Sequence, residues 1–333
     1  MRLFFLPLLI AASLLARVAL AADEPGSRWL RKAAEPELSP LQRTAYTQLA
    51  NVHLCYFPQL NHWEMFQVLS WHEDSQEPMD VLYRLGLDVL PILAEALDDD
   101  TPTHTTTVDR WARRVKVWKV GELIALLILR ITERDFAVGE HPHDVRIREI
   151  GSHPELIPSF RQSLLSWHQR SGGKSLSERK IEDVSDHVLQ NRLRAMKWIG
   201  EHKVGEGARA LVERIEGILA GDEVDTGLDT ELAACALALG QLGDRSGTEP
   251  VKRVCEHLSY WVFNAYGAPE EGKLELGRPA LDRLFQAYHA YSLLGHREAA
   301  LERLRELYAS YSKLMEPSTR SQYERRLALA QGW

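Results

Sequence analysis

The most regular hydrophobic pattern in the chain is a stripe at Ala208, Leu211, Val212, Ile215, Ile218 and Leu219, with Glu213, Arg214 and Glu216 lying off it. Apolar residues recurring three and four apart form one face of an amphipathic helix. Upstream, Leu189, Leu193 and Met196 make a second stripe that runs into Gly200, a residue suited to stopping a helix. Together they predict a helical hairpin over residues 187–219.

The pattern returns at Leu232, Cys235, Ala236, Leu239 and Leu242, stopped by Gly243-Asp244, and continues at Val251, Val254, Cys255 and Leu258. A third hairpin is expected from Leu281, Leu284, Phe285 and Tyr288, with Gly295 as its stop, followed by Leu301, Leu304, Leu307, Tyr308 and Tyr311. A less complete copy places Leu85-Gly86 before Leu90, Leu93 and Leu97. Aligned on the Leu/Ile-Gly step, apolar residues fall at +8 and +11 after both Gly200 (Ala208, Leu211) and Gly243 (Val251, Val254), a spacing of 43 residues.

Elsewhere the pattern loosens. Residues 114–132 are expected to form a helix, enclosed by neighbours because it is apolar on every side from Leu123 to Leu129. Glu133 to Pro154 reads as a long loop, and a second loop runs through Ser171-Gly172-Gly173. With no β-rich alternating run apparent, the expected fold class is all-α.

The 43-residue spacing falls in the range of HEAT and armadillo repeats. The segment Ala233-Ala234-Cys235-Ala236-Leu237-Ala238-Leu239-Gly240-Gln241-Leu242-Gly243-Asp244 resembles the first helix and turn of a HEAT repeat, and residues 192–219 are similar. The resemblance implies an α-solenoid, an α-α superhelix of antiparallel hairpins. It is good over 187–258 and looser over 80–100 and 278–312. Residues 22–333 are accordingly expected to be one helical-repeat domain: less regular over 22–186, HEAT-like over 187–258, and a looser hairpin with a C-terminal cap over 278–333.

The beginning of the chain changes the setting. Arg2, the apolar stretch Leu3 to Leu15 and the small-residue end Ala19-Leu20-Ala21 read as a secretory signal over residues 1–21. The stretch is short for a bilayer span and Arg17 breaks its continuation, so a periplasmic or secreted protein without a transmembrane segment is expected after cleavage. Removing the leader's two arginines moves the formal charge from −7 to −9. Such acidity argues against a nucleic-acid partner, which needs a basic face.

Candidate chemistry is sparse. In an exported protein disulfides persist, and if the hairpin turns near residue 245, Cys235 and Cys255 lie at one height on facing helices, within reach of a bridge; the alternative is that both are small core residues. Cys55 has no evident mate. The loop Glu140-His141-Pro142-His143-Asp144, with His153 beyond, holds ligand types that suit zinc or copper, namely His141, His143, Asp144 and His153, although His-x-His on a polar loop is ordinarily just solvated. HEAT-repeat enzymes that bind two irons do so through repeated His-Glu pairs; here that pair occurs only at His72-Glu73. Leu-Ser-Trp-His occurs twice, at 69–72 and 165–168, and reads as tryptophan packing near helix ends. Asp98-Asp99-Asp100 reads as a solvated turn.

The aromatic run Tyr260, Trp261, Phe263 and Tyr266 lies where the spacing to the next hairpin lengthens. Aromatic residues are enriched where partners dock; the alternative is that the run plugs a gap between hairpins. No Gly-x-Ser-x-Gly, phosphate-binding Gly-rich loop, His-Glu-x-x-His or Cys-x-x-Cys occurs. The expectation is a non-catalytic exported scaffold with a protein partner and no cofactor. Two rivals stand beside it: an exported enzyme with a metal-dependent site in the solenoid groove, and a self-associating component of the cell envelope.

Overall fold

A computed structural model of the 333-residue chain describes residues 25–55, 75–109, 114–136, 151, 153–221, 226–265 and 278–333. These are mainly helical. They fall into two compact units that divide between Gly173 and Lys174, in the loop expected at residues 171–173. The leader over residues 1–21 lies outside the described residues.

The first unit begins with α1 (Ser27–Ala33) and α2 (Pro40–Asn51). Ser39 starts α2 with a reciprocal cap, its hydroxyl accepting from the Gln42 amide while the Gln42 side chain accepts from the Ser39 amide. Next come α3 (Pro78–Leu85), a 3-10 turn from Gly86 at φ 67°, and α4 (Leu90–Glu95). The expected Leu90, Leu93 and Leu97 are all buried.

The described residues fit the all-α class, but two strands stand where no alternating β-run was expected. β1 (Pro102–Asp109) pairs antiparallel with β2 (Arg114–Lys119), so the helix expected over 114–132 is shortened to α5 (Val120–Thr132). The reason is legible in hindsight. Residues 103–108 are almost all β-branched, and Arg-Val-Lys-Val-Trp-Lys alternates with period two. The inward member is Trp118, which is buried while Val117 is exposed. Thr103 ties the strands by donating its hydroxyl to the Trp118 carbonyl at 2.8 Å.

Helix α5 is enclosed as expected: Leu123 to Leu129 are all buried. At Gly121 an added Cβ would lie 2.3 Å from the Leu97 carbonyl oxygen, so glycine lets the helix abut the turn that follows α4. Helix α6 (Ile157–Ser171) closes this core with Phe160 and Leu164.

The second unit opens with α7 (Leu176–Asp183), capped by Ser175 and Glu178. Three helical hairpins follow where the stripes predict them: α8 (Leu189–Glu201) with α9 (Ala208–Leu219), α10 (Thr226–Leu242) with α11 (Thr248–Tyr260), and α12 (Arg278–Tyr291) with α13 (Arg297–Tyr311). Helix α10 packs between α8 and α12, α9 and α11 pack on α10, and α14 (Pro317–Ala330) packs on α12 and α13.

The internal register differs from the one expected. Gly243 matches Lys203, not Gly200: these two residues turn their hairpins with left-handed backbones, φ 68° and φ 52°. Each is followed by an equivalent 3-10 turn, Gly205–Gly207 and Arg245–Gly247. Gly207 lies against Ile199 and Gly247 against Leu239. The offset is therefore 40 residues (203 to 243, 207 to 247). In that register Gly200 matches Gly240, and both serve the same contact. An added Cβ would stand 2.9 Å from the Ala238 Cα at Gly200 and 2.7 Å from the Ala290 Cα at Gly240, so each glycine admits the first helix of the next hairpin.

Candidate partner-binding edge

Because α10 and α11 run antiparallel, the first turn of one meets the last turn of the other. There the buried Asp229 faces His257, whose Nε2 lies 3.7 Å from Asp229 Oδ1. One turn on, the Trp261 ring tilts over His257 with centroids 6.1 Å apart, and Tyr260 meets Trp261 edge-to-face at 5.6 Å. Tyr260 is 59% exposed, the most exposed aromatic ring among the large hydrophobic residues on the described surface. The arrangement sets an imidazole near a carboxylate and beside two accessible rings, suited to polar contact and stacking with a partner.

The structure divides the expected aromatic run. After Tyr260 the chain continues as a π-helical turn over Trp261–Ala265. That turn carries Val262 and Phe263 into the core. Phe263 is 3% exposed and stacks on Tyr311 at 4.6 Å, so it is a packing residue and not available to a partner. Around it Phe285 meets Tyr323 edge-on at 5.0 Å, and Tyr323 donates to the Leu304 carbonyl at 2.8 Å. Burial pushes the Tyr323 and Tyr288 hydroxyls up, Tyr288 to about 12. Tyr266 lies outside the described residues.

Beside this edge lies a feature that the hydrophobic stripes do not reveal. Glu231 is fully buried and accepts two hydrogen bonds from Arg192, Nε to Oε1 and Nη2 to Oε2, each 2.8 Å. Arg214 Nε donates to the same Oε1, and this bond raises the Arg214 pKa. Arg192 also donates to the Asp186 carbonyl at 2.7 Å. The carboxylate thus joins α8, α9 and α10. Its sequence signal was a pair of acids, Asp229 and Glu231, directly before the apolar run Leu232 to Leu239.

The remaining candidates separate. Cys235 and Cys255 form no bridge: both are buried free thiols, and Cys235 Sγ points instead at Met196 Sδ across α8, 3.5 Å away. Burial raises both thiol pKas, and it pushes that of Cys55 up to about 12. His141, His143 and Asp144 lie outside the described residues. His153 pairs with Glu155, Nδ1 to Oε1 at 3.2 Å. Among the described residues no group of three or more His, Cys, Asp or Glu side chains could hold a metal ion. Nor is any helix there long and apolar enough to cross a membrane.

Asp98-Asp99-Asp100 is more than a solvated turn. Asp99 is buried and accepts from Trp29 Nε1 at 2.7 Å and the Thr101 amide at 3.0 Å, while Asp98 takes Arg161 at 3.1 Å. The second Leu-Ser-Trp-His places Trp167 in the core, edge-on to Phe136 at 5.8 Å. The first lies outside the described residues.

No protein-family model, no curated protein and no solved structure matches this chain.

Proposed function

We propose that this protein is an exported, non-catalytic interaction scaffold whose second unit is a HEAT-like α-solenoid that holds a protein partner at the edge carrying Tyr260 and Trp261. The observation that supports this reading most is the contrast within one turn of chain. Val262 and Phe263 are consumed by the core, while Tyr260 stays 59% exposed against Trp261. A large ring left accessible on a rigid support loses little conformational freedom when a partner covers it.

The solenoid part of the proposal rests on the repeated hairpin turn and on the order in which α8, α10 and α12 pack side by side. Each hairpin buries its apolar stripe against the next, which is the logic of a repeat array. The final helix α14 suits a cap, with Tyr323 and Ala330 inward and Glu324, Arg325 and Ala328 outward.

The experiment is affinity capture from the native cell envelope with the mature chain and a Tyr260→Ala/Trp261→Ala variant. The recovered partner is then titrated against both purified forms. Loss of binding in the variant at unchanged thermal stability supports the edge; equal binding by the two forms refutes it. Phe263→Ala belongs outside this comparison because it creates a core cavity.

A further inference from the structure

We propose that the first unit carries a separate binding site for a small anion, with a carboxylate or phosphate as its recognised group, in the cleft between the start of α1 and the base of the β-hairpin. The cleft measures about 600 Å³ and is lined chiefly by Arg28, Arg31, Lys119, Asp99, Asp100 and Thr101. That volume is in the range of small-molecule sites. The lining is polar, which selects a polar ligand over the apolar body of most pocket ligands.

The frame of the cleft is rigidly tied. Gly26 enters α1 at φ 79°, where an added Cβ would sit 2.1 Å from the Ala50 carbonyl oxygen, so the start of α1 is pressed onto α2. The Asp99 carboxylate binds Trp29 Nε1 and the Thr101 amide. The Asp99 and Thr101 carbonyls accept from the Gly121 and Val120 amides at 2.8 and 2.9 Å. These bonds join α1, the 99–101 turn and the start of α5, directly after Lys119, before any ligand arrives, which lowers the cost of binding.

The charges in this frame are unequal. Arg28 is committed: its guanidinium lies over the Trp29 ring at 4.2 Å and reaches Asp99 at 3.3 Å and Asp98 at 3.5 Å. Asp99 is neutralised by the same contact. That leaves Arg31 and Lys119, which have no side-chain acceptor among the described residues, opposed only by the exposed Asp100. Two uncommitted cations bordering one concave polar space attract an anion more strongly than either does on an open surface. Asp100 works against that attraction, and this gives the test a sign.

Isothermal titration of the full chain at low ionic strength, with inorganic phosphate in one arm and succinate in the other, tests the site. Saturable one-to-one binding in the phosphate arm assigns a phosphate ligand, and in the succinate arm a carboxylate. The Arg31→Gln/Lys119→Gln variant is expected to weaken binding at least tenfold, and Asp100→Asn to tighten it severalfold. Damage to the fold would weaken both, so the opposite signs separate electrostatic recognition from misfolding. Absence of saturable binding in both arms, or equal affinity in the double variant, overturns the proposal.

Discussion

Arg192 grips the buried carboxylate of Glu231 through two parallel hydrogen bonds of 2.8 Å, joining the first helices of successive hairpins. In the 40-residue register, Arg192 corresponds to Leu232 and Arg214 to Val254, both core residues. The first interface therefore holds a closed charge network where the next hairpin has apolar packing. Such networks specify which surfaces meet, and they are costly to break from one side.

Replacing Glu231 by Gln would leave two guanidinium groups facing a neutral amide in a buried setting. Loss of about 3–5 kcal/mol is expected, read as a lower urea midpoint. The triple variant Arg192→Leu/Arg214→Val/Glu231→Leu removes the whole network and should recover most of that loss. A single variant as stable as the parent would show that Glu231 does not hold the interface.

The glycines separate close packing from turn geometry. Gly240→Ala drives a methyl group to 2.7 Å from the Ala290 Cα and should cost about 1–3 kcal/mol by forcing α10 from α12. Gly217→Ala meets nothing within 4 Å in the last turn of α9, and is expected to stabilise by roughly 0.5 kcal/mol through helix propensity. Thermal unfolding of the two variants distinguishes them by sign.

His289 is half-buried and stacks on Trp333 at 5.0 Å, and burial lowers its pKa below the ordinary 6.5. The unfolded chain then binds the proton more readily than the folded one. The stability that neutral His289 allows is complete above pH 6.5 and is lost as the pH falls past that value toward the lower folded pKa. His289→Gln should flatten the decline in melting temperature between pH 7 and about 5.5. Parallel curves for the two proteins would contradict this assignment.

All three cysteines are buried and unbridged, with thiol pKas raised by loss of solvent. Native protein should resist alkylation at neutral pH, while unfolded and unreduced protein should react at three sites. Mass spectrometry that finds a Cys235–Cys255 linkage would overturn the free-thiol description.

Local pattern was sufficient for the helices but not for the details that shape the surface. The stripes at Leu211, Ile215 and Ile218 and at Leu232, Cys235 and Leu239 placed α9 and α10 correctly, because a helix needs only a continuous apolar face. The β-hairpin escaped notice beside α5. A strand is recognised through its neighbour, and the alternation at residues 114–119 is too short to outweigh the long apolar run that follows.

What the sequence by itself determined is the set of hairpins, the enclosed α5 and the aromatic run that begins at Tyr260. Only the tertiary structure decided that Lys203 takes the left-handed turn matching Gly243, that Phe263 goes inward while Tyr260 stays out, and that Arg192 and Arg214 close on Glu231. The physical reason is the range of the forces involved. Helix periodicity is set by contacts three and four residues apart, whereas the partner of a buried charge or of an aromatic ring is chosen by helices that meet only when the chain is packed.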